Sequence, residues 1–115
     1  MRIHNWVGIS GKTYSFEVYP STLNFKPVSG VYLLCEETPE GKIEAFFAGE
    51  TQSFHDCLNQ NAVHEGFSHV ALSPCEDPIE RYRIHNDLRQ AFNEEAKLME
   101  QQLSKLGQGN TTVLT

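Results

Sequence analysis

The fold is decided by residues 30–49, which read GVYLLCEETPEGKIEAFFAG. The first six of these residues form an apolar run of strand length, and residues 43–48 form a second run that Gly49 ends. Residues 38–42 between the two runs contain a proline and a glycine, which favour a turn. We therefore predict a β-hairpin whose two strands both contribute to the core of the domain.

The chain on both sides of this hairpin supplies further elements. Apolar and polar residues alternate in the second half of residues 3–19, which is the period of a half-buried strand. We predict a first hairpin there, with its turn at residues 10–12. The remaining predicted elements are a loop over residues 20–29, a short helix over residues 51–60 capped by Thr51 or Ser53, a connection over residues 61–66 and a third core strand over residues 68–72.

The C-terminal part of the sequence predicts one long helix. Asp77 suits the N-cap position, Pro78 the first helical position and Glu80 the third, where a capping box places an acid. No glycine or proline follows until Gly107, which fits a helix end just before it. We expect a flexible tail over residues 108–115.

The predicted helix is longer than a domain of this size can cover. About 30 helical residues span roughly 45 Å, so the helix either breaks near Asn93 or packs its second half on something else. Apolar residues three or four apart continue to its end at about residue 106, the last being Met99, Leu103 and Leu106. This stripe is either a clasp over the sheet or a seam between two copies, which would make a homodimer through residues 94–106.

Length and composition limit the classes of protein that fit the sequence. The chain has 115 residues, 39% of them hydrophobic and 21% charged, which predicts one soluble globular domain over residues 1–107. Its net charge of −6 disfavours nucleic acid as a partner without ruling it out, because affinity for phosphates comes from Lys and Arg. We find no membrane segment or export signal, and the three cysteines lack a CxxC spacing, so we expect a cytoplasmic protein with reduced thiols.

Short motifs on the predicted hairpin and helix form an ordered set. Gly30-Val31-Tyr32 begins the first strand, Phe47-Ala48-Gly49 ends the second, and Thr51 follows. The residues that the predicted helix adds are Arg81, Ile84, Asp87 and Leu88. Over residues 28–93 this set resembles the GIY-YIG nuclease domain, with residues 1–19 as an N-terminal extension of the kind found in single-domain bacterial members. The resemblance implies an α/β (α+β) fold with a three-stranded central antiparallel sheet flanked by helices.

The resemblance also implies where a catalytic site would lie. Members of the family cleave phosphodiester bonds with two tyrosines, an arginine and a glutamate that binds Mg²⁺ or Mn²⁺, groups that handle phosphate charge and hold a hard cation. Tyr32 retains the first tyrosine position, whereas other residues occupy the remaining three: Phe47 for the second tyrosine, Cys57 for the arginine and His85 for the glutamate. We therefore expect a non-catalytic relative that serves as a binding or interaction module and needs no cofactor.

A divergent, metal-dependent endonuclease is the alternative function. It would need Mg²⁺ or Mn²⁺ and a relocated carboxylate ligand, for which the sequence offers Glu36, Glu50 and Glu65. The densest cations available for an acidic ligand lie on the helix and are Arg81, Arg83, Arg89 and Lys97. Acidic residues alternate with these cations, so we predict an ordinary salt-bridged helix face instead.

The substituted positions also allow chemistry of their own. If Cys57 and His85 face one cleft, the imidazole could lower the pKa of the thiol and make it a nucleophile. His55 or His64 could complete a soft-metal site, although the spacing matches no standard zinc pattern. Drift after the loss of catalysis gives the same residues, and we interpret both substitutions in that way.

Overall fold

The computed structural model of the chain describes residues 2–60 and 66–114, with side chains described as far as Leu98 and at Gln101. Within these residues the protein has one five-stranded antiparallel sheet, one short π-helix and one long α-helix. The elements in chain order are β1 (Arg2–Val7), β2 (Thr13–Pro20), β3 (Gly30–Glu37), β4 (Ile43–Thr51), the short helix (His55–Gln60), β5 (His69–Pro74) and α1 (Pro78–Leu114). The predicted α+β class, with an N-terminal hairpin and a long C-terminal helix, is confirmed. The predicted connection over residues 61–66 lies outside the described residues except for Gly66.

The sheet joins the two predicted hairpins through β5. Its strand order is β1-β2-β5-β3-β4, and every neighbouring pair is antiparallel. β3 lies between β4 and β5, and β2 of the first hairpin pairs with the far side of β5, where Val18 lies opposite Ala71. The three predicted core strands are therefore adjacent, but they belong to one continuous sheet that includes the N-terminal hairpin.

The two faces of the sheet bury two separate apolar cores. Along β3, Val31, Leu33 and Cys35 belong to the core under α1, whereas Tyr32 and Leu34 belong to the core under the short helix. The α1 face also buries Phe16, Val18, Ile43, Ala48, Ala71 and Leu88, and the short-helix face also buries Phe25, Phe54, Leu58, Val70 and Leu72. Because β3 is buried on both faces, its sequence is a continuous apolar run rather than an alternating one.

The first part of α1 is fixed by its own cap and by the N-terminal hairpin. Asp77 caps the helix as predicted, because its carboxylate accepts a hydrogen bond from the Ile79 amide at 3.0 Å. Asp87 accepts hydrogen bonds from the Ser10 amide (2.9 Å), the Ser10 hydroxyl (2.7 Å) and the Tyr14 hydroxyl (2.7 Å). Burial raises the pKa of Asp87, but the hydrogen bonds from Ser10 and Tyr14 outweigh burial and lower the pKa below its ordinary value. Asp87 therefore holds α1 against the turn between β1 and β2.

The helix continues past its predicted end. It runs without a break at Asn93 and through Gly107 to Leu114, a length of about 55 Å for its 37 residues. Each interior glycine costs only about 1 kcal/mol relative to alanine, so Gly107 and Gly109 weaken this part of the helix without having to end it. The structure thus has helix over residues 108–114, where the sequence predicts a tail.

The second half of α1 extends away from the sheet. Residues 93–98 are exposed, and the Leu98 side chain is 58% exposed. The side chains of Met99, Leu103 and Leu106 lie outside the described residues, so the clasp and the seam both stay predictions. Neither described helix is long and apolar enough to cross a membrane.

Candidate functional site

The two tripeptides singled out in the sequence lie side by side on β3 and β4. The register places Tyr32 opposite Gly49 and Leu34 opposite Phe47. Tyr32 and Phe47 therefore share the face that the short helix covers, with ring centroids 6.2 Å apart and planes tilted by 36°. Tyr32 is only 7% exposed, whereas Phe47 on the outer strand is about half exposed.

Packing explains why both tripeptides contain a glycine. A Cβ atom on Gly49 would lie 2.3 Å from Cζ of Tyr32, so the tyrosine ring lies directly over the backbone of β4. A Cβ atom on Gly30 would lie 2.4 Å from the Ser73 carbonyl oxygen and 2.5 Å from Cζ of Phe54. Both glycines are therefore needed for close packing, whatever chemistry this face performs.

The short helix brings Cys57 to the Tyr32 hydroxyl. Ser53 caps this helix as predicted, because its hydroxyl accepts a hydrogen bond from the Asp56 amide at 3.2 Å. Burial raises the pKa of Tyr32 well above its ordinary value, and hydrogen bonding to Cys57 raises it further. The phenol therefore stays protonated at neutral pH, so it can donate a hydrogen bond but is not a general base.

The imidazole of His85 lies on the other face of the sheet. It is on α1, near the Ala48 carbonyl and beside the core that α1 covers. Burial lowers the pKa of His85, and the Ala48 carbonyl only partly offsets this effect. Within the described part of the chain, the buried Nδ1 of His85 has no hydrogen-bond partner. The histidine is therefore neutral at pH 7 and lies partly buried at the margin of the α1 core, away from Tyr32 and Cys57.

The structure thus brings together three of the four predicted site residues. Tyr32, Phe47 and Cys57 share the short-helix face, and the sheet separates them from His85. The resemblance gives a position along the chain for each residue, but it does not give the face of the sheet on which α1 packs. A thiol–imidazole pair between Cys57 and His85 has no support in this geometry.

Two of the carboxylates offered as relocated metal ligands already have partners. Glu50 accepts a hydrogen bond from Nε of Arg81 at 2.9 Å, which is also an ion pair. Glu36 accepts a hydrogen bond from the Ser68 amide at 3.2 Å. The third carboxylate, Glu65, lies outside the described residues.

Of the two histidines considered for a soft-metal site, His55 already has a neighbouring acceptor. Nδ1 of His55 lies 3.2 Å from the Phe25 carbonyl oxygen, within the loop that precedes β3. His64 lies outside the described residues. Over residues 2–60 and 66–98, we find no group of three or more His, Cys, Asp or Glu side chains that could hold a metal ion.

Arg81 is the polar residue whose role the sequence did not reveal. It is 5% exposed, and its guanidinium donates to Glu50 and to the carbonyl oxygens of Cys75 (3.3 Å) and Glu76 (2.9 Å). The sequence contains one signal for this burial, because Arg81 lies three and seven residues before the apolar Ile84 and Leu88. That spacing places the arginine on the buried stripe of the helix.

The predicted salt-bridged face is confirmed for Arg83 and Lys97, whereas Arg89 pairs with a neutral amide. They are exposed and pair within α1: Arg83 with Glu80 at 3.1 Å, Lys97 with Glu94 at 3.7 Å, and Arg89 with the Asn86 side chain at 3.1 Å. Carboxylates therefore compensate Arg83 and Lys97, while the neutral Asn86 side chain leaves the charge of Arg89 uncompensated among the described side chains.

Comparisons with known proteins add no family to this description. No protein-family model matches the chain, and no curated protein or solved structure matches it either. The resemblance to the GIY-YIG domain therefore rests on the residues of this chain alone.

Proposed function

We propose that the protein is a non-catalytic relative of the GIY-YIG endonucleases and serves as a binding or interaction module. The single observation that supports the relationship is the pairing of Gly30-Val31-Tyr32 with Phe47-Ala48-Gly49 on adjacent strands. The short helix covers the Tyr32 ring, and Cys57 on that helix lies beside the Tyr32 hydroxyl. An arginine at position 57 would meet the same hydroxyl, which is what the resemblance requires.

The groups on the short-helix face do not suit phosphodiester hydrolysis. Hydrolysis needs a base or a group that positions water, together with positive charge on the phosphate. Tyr32 keeps its proton, Phe47 has no hydroxyl and Cys57 has no positive charge. All four arginines lie elsewhere, with Arg2 paired to Glu37, and Arg81, Arg83 and Arg89 on α1.

Incubation of the purified protein with branched, nicked and single-stranded DNA tests the absence of catalysis. We expect no cleavage above background in Mg²⁺ or Mn²⁺, because each lost electrostatic or acid–base group lowers the rate by a factor on the order of 10². Tyr32→Phe is the matched control, since it removes only the retained hydroxyl. Activity that this variant does not change belongs to a contaminating nuclease.

Cleavage by the wild-type chain that Tyr32→Phe abolishes would contradict the proposal and establish the divergent endonuclease. A metal-dependent enzyme would also need a carboxylate on the same face, where Glu36 is the candidate on β3. Glu36→Gln would then lower the rate, while Glu40→Gln in the β3–β4 turn would not.

The proposal extends to location and assembly. Three free cysteines suit a reducing compartment, which supports a place in the cytoplasm. Leu98, within residues 94–106, is exposed, which supports a homodimer through this part of α1. Light scattering is expected to give the mass of two chains for the wild type and for Gln101→Glu, and the mass of one chain for Leu103→Glu. A mass of one chain for the wild type and both variants would contradict the proposed homodimer.

A further inference from the structure

A cleft of about 570 Å³ lies between the two edge strands of the sheet, beside α1. Its walls come from β1, β4 and the middle of α1. β1 and β4 are at opposite ends of the strand order, so the sheet must curve until its two edges approach each other. The same approach lets the Arg2 guanidinium donate to the Gly41 carbonyl at 2.9 Å. The cleft is therefore a product of the curvature of the whole sheet.

Three aromatic residues line the cleft. Trp6 on β1 is partly buried and stands edge-on to Phe16, with ring centroids 5.6 Å apart. Phe92 on α1 packs against the same core. Phe46 on β4 is 57% exposed, but its ring lies 6.3 Å from the ring of Phe67, which packs against the short-helix core. The rings of Trp6 and Phe92 offer apolar faces of the kind that attract a cation as well as an apolar group.

A β-bulge in β4 lies at the edge of the cleft. Leu34 on β3 pairs with Phe47, and the next residue, Cys35, pairs with Ala45, so Phe46 has no partner across the ladder. A bulge of this kind re-aims a side chain and is often found near binding sites. The backbone of β4 thus departs from regular pairing at a residue that lines the cleft.

Two carboxylates line the cleft, and neither is neutralised. Glu44 on β4 and Glu95 on α1 are both exposed, and neither has an ion-pair partner among the described side chains. The neighbouring Glu94, in contrast, pairs with Lys97. No Lys or Arg is among the described residues that line the cleft. The site therefore combines aromatic walls with uncompensated negative charge, in a chain whose net charge is −6.

We propose that this cleft binds an organic cation with an apolar or aromatic body, such as an arylalkylammonium or a guanidinium group. The apolar body would pack between Trp6 and Phe92, and the charged group would lie near Glu44 and Glu95, where cation–π attraction and charge act together. The ligand is either a free amine or a Lys or Arg side chain of a partner, and both sources present a cationic group on an apolar body. This inference rests on the binding role proposed above and names the class of ligand for it.

Trp6 is the only tryptophan in the chain, so its fluorescence reports on this cleft directly. The probe is phenethylammonium at low salt, with 2-phenylethanol as the neutral analogue and 3-phenylpropionate as the anionic one. We expect a saturable change in Trp6 emission with the ammonium, binding about tenfold weaker for the alcohol, and no saturation for the carboxylate. Addition of salt is expected to weaken only the ammonium.

Two adjacent glutamates on α1 provide the matched variants. Glu95→Gln is expected to weaken phenethylammonium about fivefold, whereas Glu94→Gln should change the affinity by less than about twofold, because Glu94 is engaged by Lys97. Glu44→Gln should resemble Glu95→Gln. Unchanged circular dichroism and an unchanged midpoint of urea denaturation show that the variants keep the fold.

Titration with blocked lysine and blocked arginine separates the two sources of the ligand. Tighter binding of either blocked amino acid than of phenethylammonium assigns the site to a side chain of a partner protein, and weaker binding assigns it to a free amine. Absence of any saturable change with all the cations overturns the inference, and so does equal binding of the alcohol. DNA cleavage in the nuclease assay would overturn the proposed function without changing the Trp6 titration, so the two failures are distinguishable.

Discussion

The short-helix face and the α1 face of the sheet hold their polar groups in different ways. On the short-helix face, the Tyr32 phenol lies beside the Cys57 thiol, and burial holds the pKa of Tyr32 well above its ordinary value. On the α1 face, a buried guanidinium from Arg81 is paired with Glu50 and two carbonyl oxygens. The Tyr32 phenol on the face that resembles a catalytic site therefore stays protonated, whereas the buried guanidinium of Arg81 is occupied in holding the helix to the sheet.

Arg81→Met is expected to have the largest effect, because the α1 face depends on its ion pair. The free energy of unfolding should fall by about 3 kcal/mol, at the lower end for a broken buried pair, since Glu50 keeps some contact with water. The exposed pair of Arg83 with Glu80 supplies the control, and Arg83→Met should cost less than about 0.5 kcal/mol. Urea denaturation measures both. Equal losses of unfolding free energy in the two variants would mean that the buried Arg81 pair stabilises the protein no more than an exposed pair.

Gly49→Ala tests the packing on the short-helix face. Its new Cβ would overlap the Tyr32 ring, so we expect the free energy of unfolding to fall by about 2 kcal/mol. In a Tyr32→Leu background the same substitution should cost less than about 0.5 kcal/mol, because the ring is gone. A double-mutant cycle by urea denaturation gives the coupling. A coupling free energy of zero between positions 49 and 32 would show that the glycine is required for a reason other than its contact with the Tyr32 ring.

Tyr32→Phe measures how much the phenol–thiol contact stabilises the short-helix face. The expected loss is about 1 kcal/mol, the usual net contribution of one hydrogen bond. Tyr82→Phe is the control, because the Tyr82 side chain is exposed on α1. Thermal unfolding compares the two variants. A Tm for Tyr32→Phe that equals that of Tyr82→Phe would show that the contact between Tyr32 and Cys57 does not stabilise the fold.

A smaller effect is expected from pH, and it reports on the α1 face. The pKa of His85 is lower in the folded state than the ordinary value of about 6.5, so the unfolded state binds the proton first. The stability associated with neutral His85 is complete above pH 6.5 and is lost as the pH falls through the lowered folded pKa. His85→Gln should therefore flatten the fall in unfolding free energy between pH 7 and pH 5. An unchanged slope would show that His85 is solvated.

Local signals in the sequence were sufficient for most of the fold. The alternation in β2, the turn at residues 38–42 and the cap at Asp77 each act over a few residues, so they could be identified without knowledge of the rest. The predicted end of α1 differs from the structure, in which the helix continues through Gly107 and Gly109, because a glycine weakens a helix without necessarily ending it.

The candidate site depended on information that is not local. The register between β3 and β4 follows from a short turn, which is why Tyr32 and Phe47 could be placed on one face. The position of His85 depends on which side of the sheet α1 covers, and nothing in the spacing of the helix specifies that side. The cleft at Trp6 and Phe92 needs the curvature of five strands, which no single segment encodes.

The pairing of β2 with β5 has a consequence for synthesis on the ribosome. Val18 meets Ala71, so the first hairpin emerges long before the strand that completes its pairing. During that interval β2 presents unpaired amide and carbonyl groups along one edge, a surface on which other nascent chains can add. Translation speed between the two strands therefore sets how long this growing chain is open to association with its neighbours.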